Sequence, residues 1–115
     1  MIIAIVGAPG SGKSTLAAAL TKGLTAVLHT DDYIELAWAN QARAAVEGFQ
    51  RLQPQHSRIV VEGVTVQRMF RLGFRPDLVL ECTRPGRPTP ALTAGLDRAR
   101  AECAAAGIPW VRVVP

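Results

Sequence analysis

Several kinds of residue and segment are scarce in this chain of 115 residues, and each shortage excludes a class of protein. Only two cysteines occur, Cys82 and Cys103, and their separation is not that of metal ligands. Reduced thiols inside the core are the favoured state, which indicates a cytoplasmic setting. No apolar run approaches the length of a membrane-spanning helix, and residues 1–6 are too short for a signal peptide and lack its basic start. A membrane partner is therefore not expected.

Lysine, asparagine and aromatic residues are also rare. Eleven of the 13 basic residues are arginine, and the formal net charge is +4. A basic surface can bind nucleic acid, but these residues are scattered, and aromatic residues make up only 5% of the chain. Nucleic acid is therefore not favoured as a partner. Asn40 is the single asparagine, so the Asn-Lys-x-Asp motif of guanine-binding signalling GTPases is absent.

One stretch fits a phosphate-binding pattern at every fixed position. Residues 7–14 read Gly-Ala-Pro-Gly-Ser-Gly-Lys-Ser and match G-x-x-x-x-G-K-[ST], the Walker A motif or P-loop. An apolar, β-branched run precedes the motif at residues 2–6, and Leu16, Leu20 and Leu24 follow it at helical spacing. The motif therefore has the strand, turn and helix around it that it requires.

The residue types of this motif suit the binding of nucleotide phosphates. Its three glycines lack a Cβ and can adopt the positive φ values that let backbone N–H groups surround an anion. Lys13 is expected to reach the β- and γ-phosphates, and the Ser14 hydroxyl is expected to bind Mg²⁺. The predicted nucleotide-binding residues are Gly7, Ala8, Pro9, Gly10, Ser11, Gly12, Lys13, Ser14 and Thr15.

Four further apolar runs alternate with helical patterns. The chain length of 115 residues predicts a single domain over residues 1–115. Strands are predicted at residues 25–30, 58–62, 78–82 and 110–114, and helices at 31–53, 65–72 and 90–106. Thr89 before Pro90 is a well-matched helix start, and Gly107 is a stop. The alternation predicts an α/β fold, with a five-stranded parallel sheet between helices on both faces. Ligands of such sheets bind at the carboxyl ends of the strands.

Acidic residues follow or end two of the predicted strands. Asp31 and Asp32 come after the second strand, where a carboxylate would accept the proton of an attacking hydroxyl or help to hold Mg²⁺. Because neighbouring side chains of a strand alternate, only one of them is expected to face the site, and strand position favours Asp31. The other interpretation is a helix N-cap. Glu62 ends the third strand and is predicted to orient magnesium-bound water, the alternative being a solvent-facing charge.

Other candidates are weaker. Arg84 and Arg68 follow the carboxyl ends of strands and could stabilise the charge of a transferring phosphoryl group. His29 lies inside a strand and is interpreted as packed or capped rather than catalytic. Tyr33 and Trp38 could flank a substrate ring, but core packing is favoured. One predicted helical face is shared by Trp38, Ala42, Ala45, Phe49 and Leu52.

The chain resembles the small P-loop kinases, the group of nucleoside and metabolite kinases that includes adenylate kinase and uridine kinase. The resemblance rests on residues 7–14, on Thr-Asp-Asp-Tyr at residues 30–33 and on Val-Val-Glu-Gly-Val at residues 60–64. It implies ATP and Mg²⁺, a P-loop NTPase fold with strand order 2-3-1-4-5, and phosphoryl transfer to a hydroxyl or phosphate acceptor. It also implies that Lys13 and Ser14 bind phosphate and metal, that Asp31 is the base, and that Glu62 is the third-strand acid.

The resemblance leaves the acceptor open. Where the family has an arginine-rich lid, residues 83–90 and one helix fill the space, which favours slow transfer or plain ATP hydrolysis. We expect a kinase for a small nucleoside, nucleotide or metabolite. A polynucleotide 5′-hydroxyl kinase, which residues 31–33 would also suit, and a nucleotide-binding or ATPase module without kinase turnover remain alternatives. The sequence leaves the oligomeric state open.

Overall fold

The computed structural model describes residues 1–21, 25–83, 86 and 89–114. Within them, five strands form one sheet: β1 (Ile2–Val6), β2 (Thr25–His29), β3 (Arg58–Glu62), β4 (Leu78–Cys82) and β5 (Trp110–Val113). The helices of the described residues are α1 (Lys13–Leu20), α2 (Trp38–Leu52), α3 (Val66–Met69) and α4 (Pro90–Ala106). Short 3₁₀ turns cover Thr30–Tyr33, Gln53–Gln55 and Phe70–Leu72.

The sheet is parallel, with the order β2-β3-β1-β4-β5. The central strand β1 pairs with β3 on one side, where Ile5 is opposite Glu62, and with β4 on the other, where Val6 is opposite Glu81. The predicted α/β class, strand order and parallel arrangement are confirmed. Because all the strands point the same way, the loop after β1, the turn after β2 and the end of β3 meet at one edge of the sheet.

Alternate residues of the strands enter two hydrophobic layers. Ile5 and Val60 lie with Ala17 of α1 on one face of the sheet. The opposite face carries Ala4 and Val6, and it packs against buried residues of α2, α3 and α4. This two-sided burial explains why the central strands are continuous apolar runs rather than alternating ones.

Local signals define α4 at both ends. The Thr89 Oγ1 accepts a hydrogen bond from the N–H of Leu92 at 3.1 Å, and Pro90 occupies the first turn, where its missing N–H costs nothing. Gly107 ends the helix with a φ of +73°. Both predicted ends are confirmed. The first predicted helix ends at Leu20 in the described residues, and Leu24 lies outside them.

The second helix differs from the prediction. Its α-helical part begins at Trp38 rather than at Asp31, because Thr30–Tyr33 forms a separate 3₁₀ turn. The prediction that Trp38 packs into the core is wrong, since its side chain is 66% exposed. Helical periodicity assigned Trp38 to the face of Ala42 and Ala45, but it cannot tell that the core ends before the first turn of α2.

Among the described residues, no helix combines the length and the apolar character that crossing a bilayer requires.

Candidate functional site

A glycine-rich loop connects β1 to α1 at the carboxyl edge of the sheet. Gly10 has a φ of +80° and Gly12 a φ of +94°, in the left-handed region where a side chain would be strained. Gly12 directly precedes the first turn of α1, so that backbone N–H groups of this turn lie beside the loop. The prediction that glycines of this loop adopt positive φ values is therefore confirmed.

Lys13 begins α1 and is enclosed by this loop. It is only 7% exposed, and its Nζ donates a hydrogen bond to the carbonyl of Ala8 at 2.7 Å. Burial lowers the pKa of Lys13, while the negative charges of Glu62 and Asp31 oppose this effect. Lys13 therefore interacts electrostatically with Glu62 and with Asp31, two of the predicted acidic residues.

The remaining loop residues fall into two groups. Ser14 and Thr15 are exposed in the first turn of α1. Ser11 is fully buried, and its N–H donates to the carbonyl of Ala8 at 3.1 Å. The Ser11 Oγ has no hydrogen-bond partner in the described part of the chain. Ser11 thus shapes the loop, whereas the Ser14 hydroxyl is accessible to a ligand.

The two neighbouring aspartates separate because the chain leaves strand geometry after His29. In the 3₁₀ turn, the carbonyl of Asp31 accepts a hydrogen bond from Ile34, and successive side chains point in different directions. Asp31 lines a cleft of about 510 Å³ that also includes the glycine-rich loop, whereas Asp32 is exposed and outside its lining. We call this the aspartate cleft; its main lining residues are Pro9, Gly10, Asp31, Trp38, Gln41 and Thr65.

Neither aspartate caps the following helix. The residue before α2 is Ala37, and no side chain caps this end of the helix in the described structure. The N-cap interpretation therefore does not apply to α2.

Glu62 is buried at the end of β3, with 2% of its surface exposed. The interpretation of a solvent-facing charge is therefore wrong. Its Oε1 lies 2.5 Å from the Nδ1 of His29, whose side chain is half-exposed. His29 is directly opposite Glu62 in the parallel pairing of β2 with β3, a long-range relationship that the local sequence does not reveal.

A close approach of two chain segments sets this edge of the site. Gly63 has a φ of +138°, and a Cβ at this position would overlap the Oγ1 of Thr30. Any larger residue would push the segment after β3 away from the turn that carries Asp31. The segment after Glu62 thus packs directly against the turn that carries Asp31.

A polar network that the sequence analysis missed forms the far wall of the aspartate cleft. The buried Gln41 donates from Nε2 to the carbonyls of Ile34 and Leu36 at 3.3 and 3.1 Å. Arg68 donates from Nη2 to the Oε1 of Gln41 at 3.0 Å and from Nη1 to the carbonyl of Trp38 at 2.8 Å. The Arg68 guanidinium also lies 3.5 Å from the Trp38 ring centroid.

Arg68 consequently has a structural role, since its hydrogen bonds hold this wall together. Burial lowers its pKa, and its guanidinium is directed at neighbouring protein groups. The other predicted arginine, Arg84, lies outside the described residues. Gly86, two residues further, lies against the loop, since a Cβ there would be 2.5 Å from the carbonyl of Pro9.

The donor set of the loop fits a polyphosphate. Lys13 is a buried ammonium group without an ion pair in the described structure, and it stands beside a helix N-terminus. No group of three or more His, Cys, Asp or Glu side chains suits a metal among the described residues. Mg²⁺ that is bound by phosphates needs only one or two protein ligands. If such an ion binds here, the exposed Ser14 hydroxyl would be its ligand, and Glu62 would act through a bound water.

Comparison with protein-family models gives no match for this chain, and comparison with curated proteins finds none that is similar. A functional assignment must therefore be argued from the geometry of the site.

Proposed function

We propose that the protein is an ATP-dependent phosphotransferase of the P-loop kinase type, which transfers the γ-phosphate of ATP to a hydroxyl group of a small acceptor. The proposal is supported by the cleft that Asp31 shares with Pro9 and Gly10 of the glycine-rich loop, the loop that also encloses Lys13. Both the loop and Asp31 border the aspartate cleft, which is large enough for a metabolite at about 510 Å³.

In this proposal, backbone N–H groups of the loop and the Lys13 ammonium hold the β- and γ-phosphates. Ser14 would supply a hydroxyl ligand to Mg²⁺, and Glu62 would orient its bound water. Mg²⁺, when bound, neutralises charge on the β- and γ-phosphate oxygens. The pairing of Glu62 with His29 keeps its carboxylate in one orientation.

Asp31 would act as the general base. It would accept the proton of the acceptor hydroxyl while the acceptor oxygen bonds to the γ-phosphorus. The bond between the γ-phosphorus and the bridging oxygen breaks in the same transfer, and ADP leaves. Lys13 would offset the negative charge that develops on this leaving group. Asp31 is exposed to the cleft and thus accessible to an acceptor.

The two adjacent aspartates provide a matched test. The wild-type protein, Asp31→Asn and Asp32→Asn would be incubated with γ-labelled ATP, Mg²⁺ and a panel of nucleosides, nucleotides, metabolites and 5′-hydroxyl oligonucleotides. We expect Asp31→Asn to lower the rate of transfer by about 10²–10⁴-fold. Asp32→Asn should change it by less than about threefold, because Asp32 lies outside the aspartate cleft.

Binding is measured in parallel as the increase in melting temperature that Mg²⁺ and ATP cause. Both Asn variants should keep this increase, and Lys13→Ala should lose it. Label that appears only as free phosphate would replace the kinase by an ATPase, and label only on oligonucleotides would favour a polynucleotide kinase. Absence of any ATP-dependent stabilisation of the wild-type protein would reject the proposal altogether.

A further inference from the structure

A second cleft of about 390 Å³ adjoins the aspartate cleft. Pro9, Trp38 and Val64 line both, so the two clefts are direct neighbours. The second cleft extends between α3 and the first turns of α4. We call it the arginine cleft; its main lining residues are Trp38, Gln67, Arg68, Arg71, Leu92 and Arg98.

The charge of this cleft is one-sided. Three arginines line it, and no acidic residue does so among the described residues. Among the other described arginines, Arg75 pairs with Glu102, and Arg100 and Arg112 both pair with Glu81, whereas Arg43, Arg51 and Arg58 have no ion pair. None of the three cleft arginines has an ion pair in the described part of the chain. Among the described residues, no acidic side chain therefore offsets the positive charge of the arginine cleft through an ion pair.

A buried polar group faces the same cleft. Gln67 is 8% exposed, and its Oε1 has no hydrogen-bond partner in the described structure. The side chain is pressed against α4 at Gly95, where a Cβ would lie 2.7 Å from the Nε2 of Gln67. A buried amide oxygen that lacks a partner carries a free-energy cost. A ligand hydroxyl group would remove this cost once the Gln67 side chain turned its buried Oε1 towards the cleft.

Arg68 has a different role in the arginine cleft from Arg71 and Arg98. Arg68 is occupied by Trp38, Gln41 and Thr65, so it supports the wall between the two clefts. Arg71 and Arg98 are exposed; Arg71 belongs to the 3₁₀ turn after α3, and Arg98 belongs to α4. Guanidinium groups on two separate elements can approach one phosphate from different sides.

We infer that the acceptor itself carries a phosphate group, which binds between Arg71 and Arg98 while the acceptor hydroxyl enters the aspartate cleft. This inference rests on the proposed function, because it assigns the substrate class of the same site. Phosphoryl transfer follows the proposed mechanism: the hydroxyl oxygen bonds to the γ-phosphorus, its proton passes to Asp31, and ADP departs. The phosphate already on the acceptor takes no part in bond making and serves recognition.

A phosphorylated small molecule and a nucleic-acid strand share this chemistry, and the structure favours the small molecule. A strand needs a basic track along the surface, with several aromatic side chains on which successive bases stack. Here three arginines gather in one cleft of about 390 Å³ instead of following a track, and Trp38 is the one aromatic residue that lines this cleft in the described structure.

Binding can be tested without turnover. In the ¹⁵N-labelled protein, the P-loop would be saturated with Mg²⁺ and β,γ-imido-ATP, and ribose 5-phosphate or ribose would be added while NMR shifts of the Trp38 indole and Gln67 amide are followed. We expect ribose 5-phosphate to bind at least about tenfold more tightly than ribose. Arg71→Gln and Arg98→Gln should each remove most of this difference. The control Arg51→Gln, on the exposed surface of α2, should retain it.

The outcomes separate the two proposals. Equal binding of the two sugars, or a phosphate preference that persists in the Arg71→Gln/Arg98→Gln double variant, would overturn the inference even if the protein is a kinase. A 5′-hydroxyl oligonucleotide that binds more than about tenfold tighter than ribose 5-phosphate, with a steep salt dependence, would overturn the choice of a small acceptor. Failure of β,γ-imido-ATP to bind would instead reject the proposed function.

Discussion

The imidazole of His29 lies against the carboxylate of Glu62, with 2.5 Å between Nδ1 and Oε1. The two residues are opposite each other at the carboxyl ends of β2 and β3, and Glu62 is almost completely buried. A buried carboxylate without a partner is costly, since folding removes its water and returns no hydrogen bond. His29 therefore stabilises the only acid placed at the end of β3, beside the glycine-rich loop.

Truncation of His29 should destabilise the protein. We expect His29→Ala to lower the free energy of unfolding by about 1–3 kcal/mol, because Glu62 loses its partner. His29→Asn, whose amide can donate from a position near Nδ1, should recover part of this loss. Urea unfolding measures both, with His56→Ala as a control that should stay within about 0.5 kcal/mol of wild type. Equal stability of His29→Ala and wild type would contradict the structural importance of this pair.

Two glycines with positive φ should respond very differently to substitution. A Cβ at Gly63 would overlap Thr30, whereas a Cβ at Gly73, with a φ of +89°, meets nothing within 4 Å. Gly73→Ala should therefore cost only the backbone strain of about 1–2 kcal/mol. Gly63→Ala adds a steric clash and should cost at least about 3 kcal/mol or prevent folding.

A second variant keeps the Gly63 prediction testable. Thr30→Ala removes the nearest atom, and the Oγ1 that it removes has no hydrogen-bond partner in the described residues. The double variant Thr30→Ala/Gly63→Ala should thus be more stable than Gly63→Ala alone in urea unfolding. If the double variant is no more stable, contact with Thr30 is not the reason for glycine at this position.

The strands and the ends of α4 were predictable because their signals are local. Residues 58–62 and 78–82 are short apolar runs, and the structure has strands at the same positions. Thr89 and Gly107 carry the helix-end chemistry in their own side chains and backbone preferences. The strand order came from the resemblance, since local patterns contain no information on which strands are neighbours.

The parts that were not predicted depend on contacts between distant residues. The pairing of His29 with Glu62 requires the register of β2 on β3, and the wall of the aspartate cleft requires Arg68 to meet Gln41 across 27 positions. The separation of Asp31 from Asp32 depends on a 3₁₀ turn, which interrupts the alternation that a strand would give. Trp38 was misplaced because periodicity describes a face of a helix and not the extent of the core beneath it.

Lys13 should contribute more to ligand binding than to stability. Burial lowers its pKa below 10.5, so folding opposes its charge at neutral pH, and this cost disappears as the pH rises through the lowered pKa towards 10.5. Loss of its hydrogen bond to Ala8 acts in the opposite direction. We therefore expect Lys13→Met without nucleotide to be as stable as wild type, or more stable by about 1 kcal/mol.

With Mg²⁺ and ATP present, wild type should instead be more stable than Lys13→Met. Wild type should gain stability as the ATP concentration rises, and Lys13→Met should gain little, because the bound phosphates lose their cation. Thermal unfolding of both proteins across an ATP titration measures this. A Lys13→Met protein that unfolds more easily without nucleotide, by more than about 1 kcal/mol, would indicate a structural role instead.

Glu81 connects three elements behind the glycine-rich loop. Its Oε1 accepts hydrogen bonds from the Nε1 of Trp110 at 2.8 Å and from the Nη2 of Arg100 at 2.9 Å, and Arg112 lies 3.6 Å away. Burial by itself would raise the pKa of Glu81, but the hydrogen bonds from Trp110 and Arg100 and the charges of Arg100 and Arg112 outweigh it and lower the pKa. The ionised carboxylate thus holds β4, β5 and α4 together.

Replacement of Glu81 should therefore have a pH-dependent effect. Because the folded-state pKa lies below the ordinary 4.5, the stabilisation is complete above that value and disappears as the pH falls through the lowered pKa. Glu81→Gln should lower the free energy of unfolding by about 1–3 kcal/mol near neutral pH, and this difference should shrink in acid. Urea unfolding at about pH 7 and about pH 3 measures it.

The exposed Asp97, which pairs with the same Arg100 at 3.4 Å, is the matched control, and Asp97→Asn should cost less than about 0.5 kcal/mol. A Glu81→Gln difference that is the same at both pH values would show that packing, rather than the charge of Glu81, stabilises this junction.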